Sequence, residues 1–153
     1  TTTGKANFVV HAIPLDTPIH RARKIHGDKL MTLMTTRSHD QYNTTIYGMD
    51  DRYRGVFGQR RVIFINKQDL EMLGLKDGEW VDVVSVWDDG IERRADGFLL
   101  VEYEIPRGCL GSYYPETNPL VPLESFADKA RTPTSKSIPV LLHRAAVQHA
   151  KAA

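Results

Sequence analysis

Residues 61–81 read RVIFINKQDLEMLGLKDGEWV, and this stretch decides the fold. The apolar run at its start predicts a strand, and Asn66 after it is a good N-cap for a short helix over 67–73. Gly74 occupies a C-cap position, and a turn after it leads into a strand over 79–87 that is rich in β-forming residues. The sequence therefore predicts a strand, a short helix and another strand in close succession.

Outward from this unit, the chain shows more short strands than helices. Apolar or β-forming runs predict further strands at 8–13, 29–34, 91–105, 109–113 and 138–144. Surface connections or loops are predicted at 14–28, 47–59 and 114–136, and a frayed helical tail at 145–153. Six or seven unevenly spaced strands with one or two short helices favour a β-barrel over a sandwich.

Composition narrows the class of protein. The 153 residues suffice for one domain with a real core, and 41% apolar with 25% charged residues is typical of a globular chain. The net charge of +1 does not favour nucleic acid or an anionic membrane as a partner, and no apolar run is long enough to span a membrane. The single cysteine, Cys109, excludes an internal disulfide and a cysteine-rich zinc site, and it is compatible with the cytoplasmic location that we expect.

A dense polar segment follows the predicted strand at 29–34. Nearly all residues from Thr35 to Thr45 donate or accept hydrogen bonds. An unpaired buried polar group costs about 1–3 kcal/mol, so a cleft lined by these side chains would need a ligand, and Arg37 carries the planar fork suited to phosphate. The alternative is a solvated turn whose Ser, Asp and Asn side chains bond only their own backbone.

Several familiar chemistries are absent from the sequence. Adjacent Ser38, His39 and Asp40 do not form a catalytic triad, because neighbouring side chains diverge. Neither common dinucleotide fingerprint is present, and His20 and His26 lack a recognised metal-ligand spacing. We therefore expect no catalytic residue and no metal ligand in this chain.

The basic and aromatic stretch at 52–61 carries an alternative function. Arginines interleaved with Tyr53 and Phe57 could suit single-stranded nucleic acid. A solvated loop with one anchored aromatic residue is favoured here, because the chain is nearly neutral. The alternative hypothesis is that the protein is a stand-alone barrel that serves as an adaptor or a nucleic-acid module and binds its partner through this stretch.

The order of the motifs resembles a known family. Thr36-Arg37 follows a strand, a polar run with Gln41 and Asn43 comes next, and then Ile65-Asn66 and Leu73-Gly74-Leu75-Lys76-Asp77-Gly78. Downstream are Asn118-Pro119-Leu120 and Lys136. This succession, over about 28–144, resembles the C-terminal domain of the molybdopterin-guanine-dinucleotide oxidoreductases, which include formate dehydrogenase, periplasmic nitrate reductase and dimethyl sulfoxide reductase. It looks closest to the formate-dehydrogenase-like alpha subunits.

The resemblance implies a fold, a cofactor and a partner. The fold would be a mainly β double-psi β-barrel of the aspartate-decarboxylase-like kind with short helices, as a single domain over 1–153 within a longer oxidoreductase chain. The cofactor would be molybdopterin guanine dinucleotide, in the bis form, with molybdenum or tungsten. The partners would be the pterin and the upstream catalytic domains of the same chain, where the metal ligand would lie; no membrane and no nucleic acid are expected as partners.

The resemblance also implies the residues that line the cofactor. By position in the motifs these are Thr36, Arg37, Ser38, Gln41, Asn43, Thr44, Tyr113, Tyr114, Asn118 and Lys136. Asn66 and Asp69 are assigned to helix capping and not to cofactor contact, because a cap contributes about 1 kcal/mol and explains both residues.

Overall fold

The computed structural model describes residues 1–146. In chain order its helices and strands are α1 (Pro18–His26), a 3₁₀ turn (Gly27–Lys29), β1 (Met31–Thr36), β2 (Gln41–Tyr42), β3 (Thr45–Ile46), β4 (Val62–Ile65), α2 (Lys67–Leu73), β5 (Trp80–Ser85), β6 (Arg93–Glu102), β7 (Cys109–Tyr113), a second 3₁₀ turn (Asn118–Leu120) and β8 (Ile138–Arg144). From residue 147 onward the predicted helical tail lies outside the described part of the chain.

Six of these strands close into a barrel in the order β1-β7-β4-β6-β5-β8. Two neighbouring pairs, β1 with β7 and β4 with β6, run parallel, while the other contacts around the barrel are antiparallel. Strands β2 and β3 form a separate two-stranded hairpin. The closed barrel with short helices confirms the predicted fold class.

The apolar run at 62–65 forms strand β4, which is buried on both faces. All four of its residues are buried, with Ile63 and Ile65 in the main core and Val62 and Phe64 in a second cluster that includes Tyr113. A strand covered on both faces has no polar alternation, which is why the sequence shows a continuous apolar run. Tyr113 and Phe64 of the second cluster contact Asp51, Arg54 and Arg60, which are described below.

Helix α2 begins and ends where the sequence predicts. The Asn66 side chain accepts from the Gln68 backbone N–H at 2.8 Å, and Gly74 has φ 66°, the left-handed conformation that glycine adopts readily. The capping assignment for Asp69 is wrong. Its carboxylate is buried and accepts from the Gly108 N–H at 2.7 Å, so it joins α2 to the turn before β7.

The predicted strand at 8–13 is also wrong. Phe8 and Val10 are almost fully exposed, and the segment has no strand partner among the described residues. The physical reason is that the barrel is closed by the pairing of β1 with β8, so it offers this segment no free edge.

A helix replaces part of the predicted connection at 14–28. Thr17 caps α1 by accepting from the His20 backbone N–H at 3.3 Å, and Pro18 occupies the first helical position. This is a recognised start signal that the sequence interpretation passed over. Within residues 1–146, no helix combines the length and apolar character needed to cross a membrane.

Candidate functional site

The parallel pairing of β1 with β7 creates the candidate site. The two strands end side by side, with Thr36 opposite Tyr113, and the Tyr114 N–H donates to the Thr36 carbonyl at 2.8 Å. Because parallel strands bring their carboxyl ends to the same edge, the chain segments that follow them meet there. We call the first segment (37–46) the β1 loop and the second (114–120) the β7 loop.

The β1 loop folds back as a tight hairpin. Strands β2 and β3 are joined by Asn43 and Thr44, and Asn43 has φ 51°, a conformation that asparagine tolerates better than most residues. Arg37 Nη2 donates to Asn43 Oδ1 at 3.3 Å. The exposed Arg37 and the exposed hairpin turn are therefore held next to each other.

Lys136 joins this edge from a distant part of the chain. Its ammonium donates to the Thr35 carbonyl oxygen and lies 3.5 Å from the Thr35 hydroxyl. The backbone is tied at the same place, since the Thr35 N–H donates to the Ser135 carbonyl at 3.0 Å. Lys136 is thereby fixed at the end of β1, within the predicted constellation.

Asn118 lies on the β7 loop. It begins the second 3₁₀ turn and is exposed, and the preceding Thr117 donates its hydroxyl hydrogen to the Tyr113 carbonyl at 3.1 Å. The structure anchors the segment that carries Asn118 to the end of β7.

The charges at this edge divide into two kinds. Arg54 and Arg60 are ion-paired with Asp51 and Glu116 at 2.5 Å. Arg37 and Lys136 are exposed, and neither has a carboxylate within 4.0 Å in the part of the chain that the structure describes. Two cations are thus available to an anion such as phosphate.

Arg60 lies behind the exposed residues and is the centre of a buried network. Its Nη1 donates to Ser38 Oγ at 2.7 Å, and its Nη2 donates to Gln41 Oε1 at 3.1 Å. The same guanidinium forms two bonds to the Glu116 carboxylate, at 2.5 and 3.1 Å, and lies 5.1 Å from the ring centre of Tyr113. It connects the β1 loop to the β7 loop from inside.

A second buried group, Asp51, lies beside this network. Its Oδ2 accepts from the Tyr113 hydroxyl at 2.8 Å, from Arg54 Nη1 at 2.5 Å and from the His39 N–H at 3.3 Å. Burial alone would raise the pKa of the Asp51 carboxyl, but these hydrogen bonds and the Arg54 charge outweigh it and hold the pKa below its ordinary value. Asp51 is therefore a buried carboxylate that remains charged.

The pKa of Tyr113 is shifted in the opposite direction by the same surroundings. Burial and the Asp51 carboxylate raise the pKa of its phenol far above the ordinary value, so the hydroxyl stays protonated and donates. Arg54 Nη1 also donates to the Arg37 carbonyl at 3.2 Å. Asp51 and Arg54 therefore support the backbone at the start of the β1 loop.

The ten predicted residues fall into two groups by exposure. The accessible group can contact a ligand directly and comprises Thr36, Arg37, Asn43, Thr44, Tyr114, Asn118 and Lys136, of which Thr36 and Tyr114 are half-buried. The buried group comprises Ser38, Gln41 and Tyr113, whose polar side-chain atoms are bonded to Arg60, to Asp51 or to the backbone. The structure places the buried side chains behind the accessible ones.

Sequence reasoning missed the supporting residues Asp51, Arg54, Arg60 and Glu116. Two of them belong to the basic stretch at 52–61, which the sequence favours as a solvated loop. Part of that loop is indeed exposed, including Tyr53 and Phe57, but Arg60 is buried and Arg54 half-buried. The only available signal was the presence of a strong cation beside an apolar strand, and it does not identify the acid that would be its partner.

Two further observations concern other parts of the molecule. Within residues 1–146, no group of three or more His, Cys, Asp or Glu side chains is arranged to hold a metal ion. A groove of about 640 Å³ lies between α1 and the connection from β5 to β6, lined in part by Ile25, Trp87 and Ile91. That groove contains none of the ten predicted residues.

Comparison with known proteins gives a consistent family assignment. The family described as the molydopterin dinucleotide binding domain matches residues 31–139 of this chain. The chain is 54% identical over 146 residues to an uncharacterised oxidoreductase of Mycobacterium bovis, and 42% identical over 144 residues to the protein YdeP of Escherichia coli K12. Each match covers 93% of this chain and 18% of the relative, so the chain spans less than a fifth of their length.

A solved structure shares the fold. Acetylene hydratase from Pelobacter acetylenicus superposes with a TM-score of 0.58, over 88% of this chain and 21% of that protein. The sequences are 14% identical, so this similarity concerns the fold alone.

Proposed function

Because the chain belongs to the molydopterin dinucleotide binding domain family, we propose that it binds molybdopterin guanine dinucleotide at the edge where β1 and β7 end. The observation that carries the proposal is the pair of exposed cations, Arg37 and Lys136, with no carboxylate partner among residues 1–146. A pyrophosphate offers them the negative charge that residues 1–146 do not place beside them.

The other accessible side chains fit the rest of such a cofactor. Thr36 and Thr44 supply hydroxyls, and Asn43 and Asn118 supply amides that both donate and accept, as the edges of a pterin or a guanine require. Charge-assisted hydrogen bonds contribute about 1.5–3 kcal/mol each, so Arg37 and Lys136 would dominate the affinity. Tyr114 would add contact area beside Asn118.

In this proposal the chain is the non-catalytic, cofactor-closing part of a larger oxidoreductase. Its relatives are more than five times longer than the matched region, which leaves room for domains that hold the metal ligand and the substrate. When bound, the cofactor would supply two-electron redox chemistry at molybdenum or tungsten, while this chain supplies binding and orientation. More specifically, we propose that the full-length enzyme is formate-dehydrogenase-like and acts on formate.

The first test is chemical analysis of the full-length protein that contains this chain. We expect denaturation to release a pterin and a guanine nucleotide, with molybdenum or tungsten in the same sample. A purified full-length protein that contains no pterin would contradict the proposal. Reduction of an artificial electron acceptor by formate tests the substrate separately, because its absence would remove formate and leave the cofactor proposal standing.

The alternative function as a nucleic-acid module is favoured by one observation. Arg52, Tyr53 and Phe57 are exposed together on one loop, and the Arg52 guanidinium lies 5.2 Å from the Tyr53 ring centre. Against it, Arg54 and Arg60 face inward and are ion-paired. In a salt titration against single-stranded oligonucleotides, binding on the order of micromolar that weakens steeply with salt would support this alternative, whereas no binding at low salt would remove it.

A further inference from the structure

We propose that Arg60, in its buried ion pair with Glu116, is a positioning residue that holds the ligand-binding edge of this domain in its binding conformation. The inference rests on the proposed cofactor site and identifies the group that sets its geometry. Arg60 is too buried to contact a ligand itself, because only 5% of its surface is exposed.

The contacts of Arg60 connect two loops that are otherwise distant in sequence. On the β1 loop it donates to Ser38 and Gln41, which lie next to Arg37 and two residues before Asn43. On the β7 loop it donates to the Tyr114 carbonyl at 3.3 Å and to Glu116. The accessible side chains at 37, 43 and 114 are thus carried by backbone next to the residues that Arg60 bonds.

Gln41 extends the same network. Its Oε1 accepts from Arg60, which leaves its amide group free to donate to the Tyr114 carbonyl at 3.0 Å and the Asn43 carbonyl at 3.2 Å. The orientation of the Gln41 amide is therefore favoured by two donors to Oε1, Arg60 and the Ser38 backbone N–H, which donates at 3.3 Å. Loss of the guanidinium would leave only the Ser38 N–H as donor to this oxygen and would remove the direct bonds of Arg60 to Ser38 and to the Tyr114 carbonyl, so we expect the hairpin turn to be held less firmly against the β7 loop.

The chemistry of the pair explains why arginine is needed. The guanidinium carries five N–H donors in a planar fork, and here they reach four residues at once. A lysine would keep the charge but carries its donors on one compact ammonium that cannot span this set. Glu116 compensates the charge of Arg60, since an uncompensated charge at this depth would be strongly unfavourable.

A second ion pair in the molecule provides a matched control. Arg93 and Asp89 form a bond at 2.6 Å, with side-chain exposures of 12% and 19%, against 5% and 15% for Arg60 and Glu116. Asp89 lies in the connection from β5 to β6 and Arg93 is the first residue of β6, and neither bonds to the β1 loop or the β7 loop in the described structure. Arg93→Met therefore repeats the chemical change of Arg60→Met at another place.

The experiment measures cofactor retention in the full-length protein. Wild type, Arg60→Met, Arg60→Lys and Arg93→Met are purified in parallel, and bound pterin is followed during dialysis together with the melting temperature. We expect both methionine variants to lose thermal stability, while pterin dissociates at least tenfold faster from Arg60→Met alone. Arg60→Lys should lie between Arg60→Met and wild type.

The outcomes separate this inference from the proposed function. A wild-type protein without pterin would overturn the proposed function and this inference with it. A wild-type protein that holds pterin, with equal retention by the Arg60→Met and Arg93→Met variants, would overturn only the positioning role. If the Arg60→Met protein does not accumulate, the rate of pterin loss from Arg60→Lys is compared with that of wild type instead. Equal rates for these two proteins would contradict the positioning role of Arg60.

Discussion

Replacing Arg37 and Lys136 together by alanine should weaken cofactor binding by the full-length protein at least a hundredfold. Each side chain can make a charge-assisted hydrogen bond worth about 1.5–3 kcal/mol, and both are exposed cations that lack a carboxylate partner within residues 1–146. A loss of about 3 kcal/mol corresponds to roughly a hundredfold in the dissociation constant. The measurement is the pterin and guanine nucleotide released per protein after purification and after dialysis.

The control for this variant removes the same charge elsewhere. Lys67 at the start of α2 and Lys129 in the connection before β8 are exposed, and neither has an ion-pair partner in the described structure. The variant Lys67→Ala/Lys129→Ala should retain wild-type cofactor content. Equal retention by the two double variants would show that Arg37 and Lys136 do not bind the pyrophosphate.

Local signals in the sequence sufficed for several elements of the fold. The helix at 67–73 is recovered because Asn66 and Gly74 act on their immediate neighbours, and those interactions are the same in any tertiary context. The strands at 109–113 and 138–144 are also recovered with the observed bounds. In contrast, the apolar run at 8–13 forms no strand, because strand formation depends on a partner edge that the closed barrel does not provide.

The candidate site, too, could be predicted from the sequence only where local signals were enough. A polar segment after a strand is visible in the sequence, so Arg37 and its neighbours could be proposed as accessible ligand-binding residues. The groups that hold them could not, because their partners are remote: Arg60 and Glu116 are 56 residues apart, and Asp51 and Tyr113 are 62 residues apart. Only the fold reveals that Arg60 is buried and paired rather than solvated.

The ion pairs of Arg54 and Arg60 affect where an anionic ligand can bind. Arg54 and Arg60 are neutralised by Asp51 and Glu116, whereas Arg37 and Lys136 have no carboxylate partner among residues 1–146. An anion that approaches the edge therefore meets Arg37 and Lys136, because the charges of Arg54 and Arg60 are compensated by the carboxylates that help to hold the β1 loop. The buried acids thus neutralise the inner cations and leave Arg37 and Lys136 as unpaired charges at the end of β1. A further exposed cation without a carboxylate partner in the described structure, Arg52, lies on the neighbouring loop, whose Tyr53 ring is 3.8 Å from the His39 ring.

Replacing Asp51 by alanine should lower the free energy of unfolding by about 3 kcal/mol. Asp51 is 1% exposed and bonds the Tyr113 hydroxyl, Arg54 and the His39 backbone, so its removal leaves a buried hydroxyl without an acceptor and a partly buried cation without its carboxylate. Urea denaturation measures the change. The neighbouring Asp50 is the control, because it is exposed and bonds one backbone N–H, that of Gly58 at 2.7 Å. Asp50→Ala should cost about 1 kcal/mol or less.

The pH dependence of the same residue gives an independent check. The pKa of the Asp51 carboxyl in the folded state lies below its ordinary value of 3.8, which is the value expected when the chain unfolds. The unfolded state therefore binds a proton more readily as pH falls, so the contribution of Asp51 is complete well above pH 3.8 and is lost progressively as the pH falls through 3.8 to below the lowered pKa of the folded state. Asp51→Asn cannot ionise, and it places an amide nitrogen in a buried position where one carboxylate oxygen has no partner within residues 1–146. The stability difference between wild type and Asp51→Asn should thus shrink on acidification, and a difference that stays constant across this range would show that the Asp51 charge does not stabilise the fold.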